Sequence, residues 1–194
     1  MLDVSGLTVQ YADSHSLSPA VWNITFSLQA ESALAIVGES GSGKTTLCRA
    51  LTRLFSPHIG VNISGHVRFG SVNLLACDDG LLADVRRRSI RYVFQEPYSA
   101  LNPVATIEKQ LLLAGGSEGT TRENLLQLLS DLGLPQSEQI LHRYPHELSV
   151  GMAQRVMIAM ALLPQPSLLI ADEPTSAVDA SLRNQLLRLL RSIQ

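Results

Sequence analysis

The sequence predicts an α/β fold, and three observations predict it. A short apolar run, Ala33 to Val37, passes through a glycine-rich loop into Leu47, Ala50, Leu51 and Leu54 at helical spacing, which reads as strand, loop, helix. Ahead of it, alternating apolar residues mark a strand-rich start. Beyond Asn102-Pro103 the period turns helical, until the apolar run Ser167-Leu168-Leu169-Ile170-Ala171 returns to strand. The layout is therefore a strand-rich start, an α/β core, and a helical block set between the two halves of that core.

Taken in order, Leu7, Val9 and Tyr11 alternate with polar or small neighbours, and so do Ile24, Phe26 and Leu28. Asp13-Ser14-His15-Ser16 and Ser18-Pro19 supply loop chemistry between these strands. Pro57 to Gly65 reads as a breaker-rich connection after the first helix, and Val67 and Phe69 then alternate up to Gly70-Ser71, a hairpin turn leading to Val72 and Leu74. Leu81 to Arg87 is a short helix, and Ile90, Tyr92 and Phe94 form a strand that delivers Gln95 to its end. Thr106 to Leu113 is a helix. Thr120 and Glu123 form a capping box for another, which carries Leu125, Leu126, Leu128, Leu129 and Leu132 and ends at Gly133 and Pro135. A long helix starts at Ser149 and stops at Pro164, and Asp179 is the N-cap of a last helix bearing Leu182, Leu186, Leu190 and Ile193. The run ending at Ala171 is continuous, as in a strand buried on both faces.

Composition narrows the function classes. With 194 residues, 45% apolar and 16% charged, the chain can bury a substantial core as one domain with an inserted lobe. A net charge of −2 argues against a surface that coats nucleic acid, and the basic run Arg86-Arg87-Arg88 reads as a solvated face. The two cysteines suggest no disulfide framework, and Cys48 reads as a small buried apolar residue. The five histidines form no recognised metal spacing. No signal peptide and no membrane-spanning apolar run are present, so a membrane role is expected to come through a partner.

The chemistry begins in the loop Gly38-Glu39-Ser40-Gly41-Ser42-Gly43-Lys44-Thr45-Thr46, which carries Gly-x-x-x-x-Gly-Lys-Thr between strand and helix: the P-loop pattern in the context it requires. A polyphosphate needs several backbone N–H groups converging on it, and glycines let the backbone approach in conformations that other residues resist. The helix that begins near Lys44 adds N–H groups and the positive end of its dipole. Lys44 contributes a full charge toward the outer phosphates, and Thr45 a hydroxyl for Mg²⁺. The third glycine of a dinucleotide-binding fingerprint is lacking, because Gly41-x-Gly43 runs on to Lys44 and Thr45. Far downstream, Asp172 and Glu173 close the buried strand. Adjacent carboxylates there are costly unless a cation or a reaction uses them. Asp172 suits Mg²⁺ through its water shell, and Glu173 suits acceptance of a proton from attacking water.

With these residues in place, Phe94-Gln95-Glu96-Pro97, Leu148-Ser149-Val150-Gly151-Met152-Ala153-Gln154-Arg155 and Leu168 through Asp179 resemble the Q-loop, signature motif, Walker B and D-loop of ATP-binding-cassette (ABC) ATPases, in the family's order. The stretches Tyr98-Ser99-Ala100-Leu101-Asn102-Pro103, Tyr144-Pro145-His146-Glu147-Leu148 and Arg155 to Ala161 are similar to the ATPase subunits of oligopeptide, dipeptide and nickel importers. The resemblance implies a P-loop NTPase core with an N-terminal antiparallel β subdomain and an inserted α-helical subdomain, its C-terminal part missing. It implies one domain over 1–194: a nucleotide-binding core with the β subdomain over 1–95, a helical subdomain over 96–147, and the signature helix, Walker B strand, D-loop and final helix over 148–194.

Residue by residue, the resemblance implies ATP stacked on Tyr11, with a strand tyrosine packed in a core as the lesser alternative. It implies phosphates wrapped by Gly38 to Thr46, Mg²⁺ and its waters served by Thr45, Gln95 and Asp172, and Glu173 as general base. Two such domains pack head to tail in the family, so Ser149 and Gly151 would meet the γ-phosphate of the other subunit; a plain helix cap is the alternative for Ser149. Asp179 serves either the D-loop interface or a helix cap. The implied partners are transmembrane permease subunits, facing Gln95 to Pro103, a same or sister ATPase and, indirectly, a solute-binding protein, with the chain peripheral on the cytoplasmic face of the membrane. No nucleic-acid partner is expected, since coiled-coil or zinc insertions and a basic groove are lacking.

Two departures from the family pattern stand out. Val150 replaces the first glycine of the signature, which costs little if it lies in helical geometry as the first residue inside the helix. The family's switch histidine lies beyond Walker B, and no histidine follows Glu173. Either the form is truncated or the full chain is longer than these residues; the expectation for this chain is that it keeps the nucleotide site, exposes a sheet edge and hydrolyses ATP poorly. The alternative to an importer ATPase is accordingly a regulatory nucleotide-binding module with little hydrolysis.

Overall fold

The structure, a computed structural model, describes residues 1–12, 19–116 and 120–174. It divides into two compact units, Met1–Arg86 and one that begins at Arg87. The expected last helix with Asp179 at its cap, and the loop residues 13–16, lie outside the described residues.

The first unit is built on a four-stranded antiparallel sheet of β1 (Leu2–Tyr11), β2 (Val21–Leu28), β3 (Val61–Phe69) and β4 (Val72–Asn73), in the order β2-β1-β3-β4. The apolar phase of β1 slips: Leu2 and Val4 are buried, then Leu7 and Val9. A strict two-residue period would send one pair to the wrong face, so the strand bulges between Val4 and Leu7 and both pairs reach the core. Gly6 (φ 60) and Gly65 (φ 99) make room for the bulge, because a Cβ on Gly65 would lie 2.6 Å from the Gly6 carbonyl oxygen. Gly65 is thus part of a strand. The connection expected over Pro57 to Gly65 gives way at Val61, where backbone pairing with β1 outweighs the breakers Gly60 and Gly65. The Gly70-Ser71 hairpin forms as expected, with Phe69 opposite Val72.

Helix α1 (Lys44–Ala50) follows the glycine loop and turns Leu47, Cys48 and Ala50 inward, packing against β1. The run Ala33 to Val37, expected as the strand ahead of the loop, is no strand here. Among the described residues nothing pairs with it, and Leu34 and Val37 are 47% and 88% exposed. Apolar sequence supplies the tendency, but a strand also needs a neighbour to take its N–H and C=O groups. Helix α2 (Asp79–Arg88) forms where expected, and the boundary between the units falls within it.

The second unit pairs β5 (Ile90–Val93) in parallel with β6 (Leu168–Ala171) and places a helical block between them in sequence: α3 (Pro97–Ala100), α4 (Ile107–Gly115), α5 (Arg122–Asp131), α6 (Ser137–Leu141) and α7 (Val150–Leu162). The α7 helix is apolar nearly all round and touches α3, α4, α5 and β5, as a core helix does. Its Val156 and Ile158 are fully buried in one cluster with Ile107, Leu111, Leu129 and Leu141. The cap of α5 is Thr121, one residue later than the expected Thr120, with its side chain accepting from the Asn124 N–H at 3.3 Å. Thr121 has the extended backbone that a cap needs, which composition alone does not distinguish from its neighbour. The Arg122 guanidinium joins Glu108 on α4 to Glu138 on α6. In β6 Ile170 is buried while Leu168, Leu169 and Ala171 are half-buried, so the expected burial on both faces is incomplete. No helix among the described residues is long and apolar enough to cross a membrane.

Candidate functional site

The chemistry-bearing residues fall in three places, one in the first unit and two in the second. In the first unit, Gly38 to Ser42 are exposed and Gly43 to Thr46 half-buried at the start of α1. Gly43 caps that helix in the left-handed conformation, φ 91 and ψ 9. A Cβ there would sit 2.3 Å from the Ala20 carbonyl oxygen at the threshold of β2, so only glycine fits. Gly41, φ +80, makes the other left-handed turn, and the Ser42 N–H closes the loop onto the Glu39 carbonyl at 3.2 Å. Lys44 Nζ donates to the Gly38 and Glu39 carbonyls at 2.9 and 2.7 Å. The loop thus wraps its own ammonium, and a positive charge stands inside a ring of small residues open to solvent. Tyr11, at the end of β1, shares a 3.0 Å hydrogen bond between its hydroxyl and that of Thr46. Its ring meets Phe55 edge-on at 6.3 Å, so the tyrosine is bound to the loop's helix and half-buried.

In the second unit, parallel pairing sets the ends of β5 and β6 side by side, with Val93 opposite Ala171. The ladder runs one residue further, since the Asp172 N–H donates to the Val93 carbonyl at 2.9 Å. Asp172 is buried at 4% exposure, and the Tyr92 hydroxyl donates to its Oδ2 at 3.1 Å. Glu173 turns outward with a left-handed φ of 49 and is exposed. Gln95 Nε2, from the end of β5, donates to Glu173 Oε2 at 3.0 Å. One residue on, the Pro174 carbonyl accepts from Gln154 Nε2 of α7 at 2.6 Å. Strand ends of a parallel pair are where α/β sheets take ligands. Here two carboxylates meet there, one sheltered and one reaching out, each held by a neutral donor.

The third place is the start of α7. Ser149 is its N-cap and accepts from the Met152 N–H at 3.3 Å, so the plain capping role is realised. Val150 is the first residue of the helix, 47% exposed and absent from the positive-φ residues, so its branched side chain meets no backbone strain. The Gly151 carbonyl accepts from Arg155 Nε at 2.9 Å, and Arg155 Nη1 donates to Gly133 at the end of α5 at 2.6 Å. Tyr98 of α3 donates its hydroxyl to the Leu148 carbonyl at 2.7 Å, tying the segment after Gln95 to the residue before Ser149.

Thus Gln95, Asp172 and Glu173 are brought together, the loop residues are brought together around Lys44, and Ser149 and Gly151 open α7. Sequence reasoning missed Tyr92 and Gln154 as holders of the acid pair. Tyr92 carried a signal in its position on the strand that delivers Gln95, three residues before it, whereas Gln154 carried none beyond being a polar residue in an apolar helix. The donor set also fits a magnesium ion. The buried Asp172 carboxylate, at the strand end of the second unit, is a hard oxygen ligand of the kind this ion takes. Among the described residues no group of three His, Cys, Asp or Glu gathers as a protein metal cage.

Comparison with known proteins gives consistent matches. A family profile described as "ABC transporter" matches residues 21–176. The chain is 41% identical to the uncharacterized ABC transporter ATP-binding protein YejF of Escherichia coli, over all of this chain and 38% of that protein. It is 40% identical to the glutathione import ATP-binding protein GsiA of Salmonella typhimurium, over all of this chain and 33% of that one. It is 36% identical to the oligopeptide transport ATP-binding protein OppD of Lactococcus lactis, over all of this chain and 59% of that one. The chain therefore spans between about a third and three fifths of the length of these curated relatives. Among solved structures, a dimeric ATP-binding cassette in a post-hydrolysis state bound to ADP and Pi superimposes with a TM-score of 0.83 at 29% identity, covering 98% of this chain and 81% of that one.

Proposed function

This chain belongs to the ABC transporter family, and from that premise we propose that it binds and hydrolyses MgATP to energise an importer of peptide-like solutes. The observation that carries the hydrolytic part is Glu173: exposed at the end of β6, beside the Gln95 amide and next to the buried Asp172. In this reading the amides of Gly38 to Thr46 and the Lys44 ammonium bind the phosphates, and Tyr11 supports the adenine. Thr45, Gln95 and Asp172 would hold Mg²⁺ and its waters, and the ion would supply charge neutralisation at the phosphate oxygens. The Tyr92 hydroxyl, donating to Oδ2, fixes the orientation of the Asp172 carboxylate at the strand end. Glu173 accepts the proton of the attacking water, with Gln95 fixing the orientation of its carboxylate.

Ser149 and Gly151 complete the site of a second cassette, the same or a sister chain, in a head-to-tail dimer. Permease subunits receive the motion through the segment that follows Gln95 and hold the chain at the cytoplasmic membrane face, and a solute-binding protein acts at one remove. Relatives named for glutathione and oligopeptide import support a peptide-like cargo, with nickel the other candidate. Val150 is no bar to hydrolysis, since it meets no backbone strain as the first residue of α7.

The test is a pair of substitutions assayed for nucleotide affinity and phosphate release together. Lys44→Ala weakens ATP binding by about 10–100-fold, the worth of a charge-assisted hydrogen bond to phosphate. Glu173→Gln keeps affinity and lowers turnover by about 10²–10⁴-fold. Binding without phosphate release in the parent protein would instead mark a regulatory nucleotide-binding module.

A further inference from the structure

We infer that Gln154 is a positioning residue for Glu173, resting on the reading of Glu173 as the general base. The side chain is fully buried on α7, a helix whose Ala153, Val156, Met157 and Ile158 are buried as well, and an amide is costly in such a place. A carbonyl only accepts, so the short contact to Pro174 fixes which end of the amide faces it: Nε2 donates at 2.6 Å. Among the described residues Gln154 Oε1 has no partner. A buried amide satisfied at one end stabilises little, so the bond to Pro174 must be understood through what it holds.

It holds the turn that carries Glu173. That residue has a left-handed φ of 49, a conformation that a side-chain-bearing residue keeps only when its surroundings impose it. The turn is pinned at both ends: the Asp172 N–H is bonded to the Val93 carbonyl, and the Pro174 carbonyl is bonded to Gln154. Proline has no N–H, so its carbonyl is the one backbone hydrogen-bonding handle at that end. With the backbone fixed on either side, the Glu173 side chain leaves the strand end toward Gln95. The same α7 begins at Ser149, so one rigid helix joins the serine at its start to the turn of the chain's own base. A displacement of about 1 Å at a catalytic group costs on the order of 10²-fold in rate.

The experiment is Gln154→Met, which conserves volume and removes the donor, assayed on the assembled protein for kcat and KM of ATP hydrolysis, with thermal unfolding as the control for folding. The expected result is a kcat lower by about 10–100-fold with KM within about twofold of the parent, because the base is misplaced while the phosphate loop is untouched. In a Glu173→Gln background the same substitution lowers the single-turnover rate no further, since no base remains to be placed. Gln154→Asn, an amide too short to reach Pro174, gives the same pattern and serves where the methionine variant does not fold. A folded variant with parental kcat, a KM rising in step with the loss, or an equal further loss without Glu173 overturns the inference. So does failure of both variants to fold, which assigns Gln154 to stability. Undiminished hydrolysis by Glu173→Gln alone defeats the reading of Glu173 itself, which separates the two failures.

Discussion

Replacing Gly43 by alanine tests the geometry of the phosphate loop most directly. Two costs add. The residue sits at φ 91, and a left-handed conformation costs a non-glycine residue about 1–2 kcal/mol. The new Cβ would also lie 2.3 Å from the Ala20 carbonyl oxygen, against 3.4 Å or more in ordinary contact. A backbone oxygen cannot rotate away, so the cap of α1 or the threshold of β2 must move, an overpacking cost of about 1–3 kcal/mol. The total is about 2–5 kcal/mol against a usual stability of about 5–15 kcal/mol. For a chain of this size that lowers the melting temperature by about 4–20 °C. Gly41→Ala is the reference: its φ is +80, but nothing lies within 4 Å of the built Cβ, so only the conformational cost of about 1–2 kcal/mol applies. Thermal unfolding of both variants by circular dichroism isolates the steric part as their difference. Equal melting temperatures would refute the close approach of Gly43 to Ala20.

Gln110→Ala removes a buried amide that accepts from the Asn102 N–H at 2.8 Å and donates to the Asn102 and Ala105 carbonyls at 3.0 and 2.9 Å. Stranding these groups costs about 2–4 kcal/mol, read as a lower denaturant midpoint at unchanged m-value; a change below about 0.5 kcal/mol would show that the loop holds itself. The pH dependence of α5 offers another check. Glu123's own backbone N–H and the Thr121 hydroxyl hold its carboxyl below the usual glutamate value. Because the folded value is the lower one, the stabilisation is present above about pH 4.3 and fades as pH falls from there through the folded value. Titration of Glu123 by NMR gives a midpoint below that of a free glutamate, and Thr121→Ala moves it back up. A midpoint unchanged by the substitution would remove Thr121 from the cause.

The nature of the elements was legible in the residues wherever a local rule decides. The glycine spacing, the Gly70-Ser71 turn and the cap at Ser149 all follow from steric and hydrogen-bonding limits on a few neighbouring residues. The acid pair was legible for the same reason, since two carboxylates closing an apolar run demand a use. Ala33 to Val37 shows where such reasoning stops: its composition suits a strand, yet ladder partners come from elsewhere in the chain, and among the described residues none pairs with it. Tyr92 on Asp172, Gln95 on Glu173 and Gln154 on Pro174 were likewise decided by packing alone. These contacts join residues 20 to 80 positions apart, and a hydrogen bond depends on where two groups lie in space, which no local pattern encodes. The sequence by itself determined which groups could do chemistry; tertiary structure decided which neighbours hold them in place.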